Sequence, residues 1–335
     1  MNIPRVSSVL FLSLAFLLPV IAPSSGLKEQ GDREVVFEEI GQFSDGGMAV
    51  TVLVDGDLAY VCEFDNGLEI LDIRDHRNIR KLCQVPDTAQ ARGIAVVAGI
   101  AFVSCNVNGL KLFNIVDPSR PVYLGRYEAS DGDPHQFLTA GATAYLTEWH
   151  GGVDIIDIAD PRNLRRVSQF KDGGMAFSIQ IEPPHAYVTE YKEGTKILDI
   201  SDSSNPILVG EHNNGGETNA LHVTGGKAYV CDKLQGLEIL DVTDPARPAL
   251  LGTFKGGGIV VGVRVVDDFA LVINWERGLE AIDVRDPART SRIGAFFDGG
   301  RPNGLQVVGD LVYLADGSDG MEIIKFRKQG KESPR

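Results

Sequence analysis

The stretch from Thr218 to Phe254 reads TNALHVTGGKAYVCDKLQGLEILDVTDPARPALLGTF, and its pattern decides the fold. Apolar and polar residues alternate with a period of two, and β-branched and aromatic side chains fill the apolar positions. No 3.6-residue period competes, so the segment reads as strand. Gly225-Gly226, Gly236 and the Asp244-Pro-Ala-Arg-Pro248 turn cut it into four strands: Thr218 to Thr224, Lys227 to Asp232, Leu237 to Val242 and Ala249 to Phe254. The turn has a mechanism, because an aspartate accepts a bond from the backbone two residues on and proline presets the turn dihedral. One small four-stranded antiparallel sheet results.

The same sheet recurs along the chain. Segments equivalent to Ala228-Tyr-Val start near Leu58, Ile100, Thr143, His185, Lys227, Phe269 and Leu311. The aligned positions Tyr60, Phe102, Tyr145, Tyr187, Tyr229, Leu271 and Tyr313 lie 42 residues apart, with a single step of 43. That period falls in the propeller range. The seventh copy stops at Phe326 with three strands, whereas Val36 to Phe43 resembles a lone fourth strand: it matches Arg166 to Phe170 and is likewise followed by Asp-Gly-Gly-Met. The fold expected is all-β, a seven-bladed β-propeller of four-stranded antiparallel blades in which the N-terminal strand completes the last blade and leaves no gap in the ring.

The third-strand segments Leu68-Glu-Ile-Leu-Asp-Ile73, Val153-Asp-Ile-Ile-Asp-Ile158, Thr195-Lys-Ile-Leu-Asp-Ile200, Leu237-Glu-Ile-Leu-Asp-Val242 and Leu279-Glu-Ala-Ile-Asp-Val284 resemble the repeat of the LVIVD family of exported β-propeller proteins. The resemblance covers about residues 35 to 326. It implies architecture and export, and no shared catalytic motif. Asn114 and Lys325 depart from the pattern by replacing the strand-end aspartate.

Met1 to Arg5, the apolar run Val9 to Ala22 and the small residues to Gly26 have the order of a secretory leader, and the run is too short for a permanent spanning helix. The expected organisation is a signal peptide over 1–26, a short linker over 27–34, the propeller over 35–326 and a disordered basic tail over 327–335. Such a protein is exported to the periplasm, the extracellular space or the cell surface, with no stable transmembrane segment after leader cleavage. A formal net charge of −14 argues against nucleic acid as a partner. Cys62, Cys83, Cys105 and Cys231 are too sparse for a disulfide scaffold, and Cys62 and Cys231 hold the same position in copies that a ring keeps apart, so they read as small buried hydrophobes.

A residue that recurs in every copy builds the blade, whereas one confined to few copies is free to serve a ligand. On the face that rims the channel, here the top, the second strand ends in Glu63, Cys105, Glu148, Glu190, Asp232, Asn274 and Asp316. These are either an acidic ring that attracts cations or, more regularly, acceptors for backbone amides of the adjacent Asp-Gly-Gly loop. The next position carries Phe64, Trp149, Tyr191 and Trp275, either a stacking rim or packing between blades. The irregular step falls in Ala129 to His135, where Asp131, Asp133, His135, Glu148 and His150 offer a candidate divalent-metal set against the plainer reading of a solvated loop. On the innermost strands Gln180, His222, Arg264 and Gln306 turn polar together, and His222 with Arg264 forms a candidate anion or general-base pair if that wall faces the channel. The ligand-binding set is therefore Phe64, Trp149, Tyr191, Trp275, Glu63, Glu148, Glu190, Asp232, Gln180 and Gln306. Signatures of common hydrolases, nucleotidases and metalloproteases are missing. The expectation is an interaction module that binds a protein or a glycan on its top face without a cofactor. The alternatives are a hydrolase or lyase at the channel mouth using His222 and Arg264, and a metal-binding surface protein.

Overall fold

The computed structural model describes residues 33–106, 109–129 and 133–330. The leader, most of the linker and Asp131 lie outside the described residues. Within them the chain forms seven four-stranded antiparallel sheets. Blade 1 is β2 (Ala49–Asp55), β3 (Leu58–Glu63), β4 (Gly67–Asp72) and β5 (Arg80–Val85). Blade 2 is β6 (Ala91–Val97), β7 (Ile100–Cys105), β8 (Leu110–Asn114) and β9 (Val122–Tyr127). Blade 3 is β10 (Pro134–Ala140), β11 (Thr143–Glu148), β12 (Gly152–Asp157) and β13 (Arg165–Phe170). Blade 4 is β14 (Met175–Glu182), β15 (His185–Tyr191), β16 (Gly194–Asp199) and β17 (Ile207–His212). Blade 5 is β18 (Thr218–Thr224), β19 (Lys227–Asp232), β20 (Gly236–Asp241) and β21 (Ala249–Phe254). Blade 6 is β22 (Val260–Val266), β23 (Phe269–Asn274), β24 (Gly278–Asp283) and β25 (Ser291–Phe296). Blade 7 takes β26 (Gly304–Val308), β27 (Leu311–Ala315) and β28 (Met321–Gly330) from the C-terminal end and β1 (Arg33–Phe43) from the other. No helix among the described residues is long and apolar enough to cross a membrane.

The ring closes as the repeat count requires. First strands of successive blades touch in cyclic order, β26 returning to β2. Each blade interface holds one apolar cluster: Tyr313, Ala315, Met321 and Ile323 of blade 7 pack with Ala59, Val61, Leu71 and Ile73 of blade 1, as Tyr60, Leu68 and Ile70 pack with Val103 and Phe113 one interface on. Burial of each such side chain contributes about 1.5–3 kcal/mol. In blade 1 the middle strands β3 and β4 are buried on both faces, so a charge such as Glu69 within them is shut away from water. Cys62, Cys105 and Cys231 are buried free thiols and Cys83 is half-buried, also free.

The closing ladder is longer than its expected bounds. Arg33 and Glu34, assigned to the linker, pair with Gly330 and Gln329, and Arg327 to Gly330, assigned to a disordered tail, belong to β28. The reason is local: Lys328 Nζ donates to Asp267 and Asp268 at 2.9 and 3.0 Å and lies over the Phe269 ring. Lys328 is thus engaged by blade 6, while Arg327 lies 3.9 Å from Glu38 of β1.

Strand-end aspartates act as the turn chemistry demands. Asp157 Oδ1 accepts from the Ala159 amide, Asp199 from Ser201 and Asp241 from Thr243, all at 2.9–3.0 Å. Asn114 Oδ1 accepts from Val116 at 3.0 Å, so the departure at that position keeps the cap. Every pairing of third with fourth strand also carries a bulge, as at Ile70/Leu71 and Glu39/Gly41. Next to it Gly210 and Gly252 lie against the Pro245 and Pro287 carbonyls of the following blade, where a Cβ has no room.

Candidate ligand-binding face

The carboxylates that end each second strand are scaffold by position. Glu63 is 2% exposed, and Glu148, Glu190 and Asp232 are fully buried. The loop of each blade passes directly over them: the second glycine of Gly46-Gly47, Gly173-Gly174 and Gly215-Gly216 packs against Glu63, Glu190 and Asp232 so closely that a Cβ would overlap the carboxylate. The first glycine of each pair takes a positive φ, between +81° and +98°. Asp232 Oδ1 accepts the Glu217 amide at 2.7 Å, as expected of a residue that organises the loop. Burial raises the Glu63 and Asp232 carboxyls and pushes Glu190 up to about 7.

A second buried charge faces each of these from the third strand and was missed in the sequence. Glu69, Lys111, Asp154, Lys196, Glu238, Glu280 and Glu322 hold equivalent positions, and all but Lys111 are buried. Their signal was present: a charge at a constant place in a strand apolar on both sides. Most are neutralised inside the blade. Lys81 donates to Glu69 at 2.8 Å and also to Asp45, Arg292 donates to Glu280 at 2.6 Å, and Arg166 approaches Asp154 at 3.5 Å. In blade 4 the cation comes from the third strand itself, Lys196 donating to Glu211 at 2.8 Å.

The polar residues on the innermost strands are clasps between blades. A first strand has one free edge, whose amides and carbonyls need partners. Gln180 Oε1 accepts the Val223 amide at 2.7 Å while its Nε2 donates to the Val223 carbonyl at 2.8 Å. Gln306 binds Val54 in the same two-armed way at 2.6 and 3.1 Å, across the closing seam. His222 Nδ1 accepts the Val265 amide at 3.1 Å, and burial, assisted by the nearby Arg264, lowers the imidazole to about 4. Arg264 Nη1 donates to the Val263 carbonyl at 3.0 Å. His222 and Arg264 are thus adjacent, as the sequence suggested, with these groups engaged by backbone.

The metal set suggested by the irregular loop does not converge among the described residues. Only Asp45, Glu63, Glu69 and Asp298, Asp316, Asp319 bring three ligand atoms within 4.8 Å of one another. His135 instead packs its ring edge-on against Phe177 at 4.7 Å, and burial, then Arg92, lowers it to about 4. His150 is exposed beside Trp149.

What the top face does assemble is aromatic. Trp149 lies 4.6 Å from Phe177 and 6.4 Å from Tyr191, the latter pair nearly parallel at 30°, with His135 and His150 each 6.4 Å from the indole. All but the exposed His150 and the buried Phe177 are half-buried. The other two rim aromatics stand apart. Phe64 is covered by Arg92 at 5.2 Å and Trp275 by Arg301 at 4.1 Å, each cation coming from the next blade. The Trp275 indole also donates to Asn303 at 3.2 Å. Lys233 covers Tyr191 at 4.5 Å, and the Tyr191 hydroxyl donates to Glu217 at 2.5 Å. Trp149 has no lysine or arginine over its ring among the described residues. Sequence reading found Trp149 and Tyr191 but not Phe177, Lys233 or the 79%-exposed Leu234 beside them. Phe177 was invisible because the other copies carry valine, asparagine, histidine or arginine at its position.

Comparison with known proteins agrees with the architecture. The model of the LVIVD repeat matches residues 46–77, 89–129, 140–172, 173–214 and 215–255, together more than half of the chain. No curated protein matches. Solved structures of similar fold include a catalytically inactive virginiamycin B lyase from Staphylococcus aureus with quinupristin, 11% identical, covering 87% of this chain and 99% of that one at a TM-score of 0.71. The Pan2 WD40 domain of Neurospora crassa is 12% identical over 89% of this chain and 97% of that one, TM-score 0.68. The computationally designed Ika8 protein is 10% identical over 86% and 99%, TM-score 0.64. A fold shared by a lyase, a WD40 domain and a designed protein narrows function little.

Proposed function

The chain belongs to the LVIVD-repeat family, and from that premise we propose that it is an exported, non-enzymatic binding module that takes a protein or glycan ligand on the top face of blades 3 and 4. The observation that carries the reading is the aromatic set of Trp149, Tyr191, His135 and His150 gathered over the buried Phe177, in which the Trp149 ring lacks the cation that covers its counterparts. A half-buried indole of this kind stacks on a sugar ring or receives a cationic side chain, and the negative net charge favours neutral or basic ligands. The export part of the reading is supported by the leader pattern in residues 1–26. The enzyme alternative, to which the similarity with a lyase lends only the fold, rests on His222 and Arg264, and both hold backbone groups of the ring.

Of the two tryptophans Trp149 lies in this patch and Trp275 in blade 6, so a fluorescence change that is lost in Trp149→Ala reports on the patch. An array of neutral glycans and a panel of Lys/Arg-rich peptides, followed by fluorescence titration of the hits, tests the reading. The expected outcome is a ligand that perturbs the emission and binds roughly tenfold more weakly to Trp149→Ala, the loss of one stacking contact of ~1–2 kcal/mol. Hits whose affinity ignores Trp149→Ala and Tyr191→Ala would refute the assignment of the face.

A further inference from the structure

The repeat also exposes an anomaly in blade 7, independent of the ligand-binding face. In every other blade a nitrogen of the protein stands at or beside the third-strand charge. Lys81 serves in blade 1, Lys111 in blade 2, Arg166 in blade 3, Lys196 in blade 4 and Arg292 in blade 6. Blade 5 uses Asn214, whose Nδ2 donates to Glu238 at 2.5 Å, and His212, 3.6 Å from the same carboxylate. In blade 7 the position of Lys81 belongs to Glu39 and that of Asn214 to Asp298. Gln42 points elsewhere, its Nε2 donating to the Asp319 carbonyl at 3.1 Å.

Four carboxyl groups gather there. Asp298, Asp316 and Asp319 each place an oxygen within 4.8 Å of the others. Glu322, fully buried, sets its carboxyl against that of Asp298, and neither of its oxygens meets a donor among the described residues. Asp316 Oδ1 is likewise unpartnered, although the residue is 2% exposed. Asp298 is exposed, so the cluster opens to solvent on one side. Buried carboxylates are paired, protonated or bound to a metal. A set made only of oxygen ligands, with several carboxylates and no nitrogen or sulfur, suits a hard cation of flexible coordination, which is calcium before magnesium or zinc.

We propose that blade 7 binds one calcium ion between Asp298, Asp316, Asp319 and Glu322, the ion standing where the other blades place a basic or amide side chain. The site adjoins the closing seam. Gly317, next to Asp316, exchanges backbone hydrogen bonds with Ala49 of blade 1 at 2.8 and 3.2 Å, and Ser44 Oγ donates to the Ser318 carbonyl at 3.3 Å. An ion here would fasten the β27–β28 loop, which contacts blade 1, to the Asp298 loop that enters blade 7.

The test is calorimetric titration of the chelator-stripped full-length protein with calcium chloride, together with thermal melts in the two states. The expected results are one ion per chain and a melting temperature raised by about 4 °C or more at a hundredfold excess over Kd. Glu322→Gln combined with Asp316→Asn should abolish both signals. Glu39→Lys, which restores the missing cation of the repeat, should raise the calcium-free melting temperature and remove the calcium response. Glu69→Gln, in the lysine-neutralised cluster of blade 1, should leave the calcium response intact. Absence of binding heat and of a thermal shift at about 1 mM calcium, with Glu322→Gln folded and more stable than wild type, would overturn the proposal and leave a proton-sharing carboxyl cluster.

Discussion

Residues that look alike in this chain do opposite things, and burial decides which. Aspartates at the ends of the third strands, such as Asp157, Asp199 and Asp241, accept amides two residues on and are held below the usual carboxylate range. Their contribution is present above about pH 4 and lost as pH falls. Glu190 is pushed up to about 7 by burial, which also raises Glu63 and Asp232, so the opposite sign applies: the cost of ionising them in the folded state is absent below about pH 4 and grows as pH rises through the raised values. In metal-free buffer the melting temperature should therefore peak near pH 5 and decline toward pH 8. Glu190→Gln should raise it at pH 8 and change it little at pH 5, by scanning calorimetry. A melting temperature that climbs steadily from pH 5 to 8, unaffected by the substitution, would show that these carboxylates are ionised in the native state.

At the scale of the element, the innermost strand is the interesting one, because its free edge must be satisfied from the neighbouring blade. Gln180 and Gln306 do this with both arms of the amide. Gln180→Ala leaves the Val223 amide and carbonyl unpaired and should cost about 1–3 kcal/mol, a fall in melting temperature of several degrees, with no effect on ligand affinity at Trp149. Loss of binding with unchanged stability would instead make Gln180 a ligand contact. The four strands of each blade, their aspartate turns and the lone strand Val36 to Phe43 were legible in the sequence, since all are local patterns repeated in register. The clasps were not: Gln180 meets Val223 forty-three positions away, and a glutamine on an inner strand reads equally well as a wet channel wall. The cations over Phe64 and Trp275 were hidden for the same reason, because Arg92 and Arg301 reach them from the following blade. The buried charges at Glu69 and its equivalents were hidden by an opposite habit, that of reading a charge in a strand as facing water.

The described residues from Arg33 to Gly330 form one ring whose last sheet takes strands from both ends of the propeller, so those ends hold each other. The carboxylate cluster of blade 7 lies beside that closure, where Gln306 reaches Val54 of blade 1 and Met321 and Ile323 pack on Ala59 and Leu71. Removing β1 would expose β28 as an unpaired edge, and a chain lacking residues 33–43 should melt several degrees lower and associate at high concentration. The most direct measurement is hydrogen exchange on the full-length protein, read by mass spectrometry over Val35–Phe43 and over Arg80–Val85, its counterpart in blade 1. The account predicts comparable protection in the two segments. Exchange of Val35–Phe43 at the rate of an unstructured chain, while Arg80–Val85 stays protected, would contradict the closed ring.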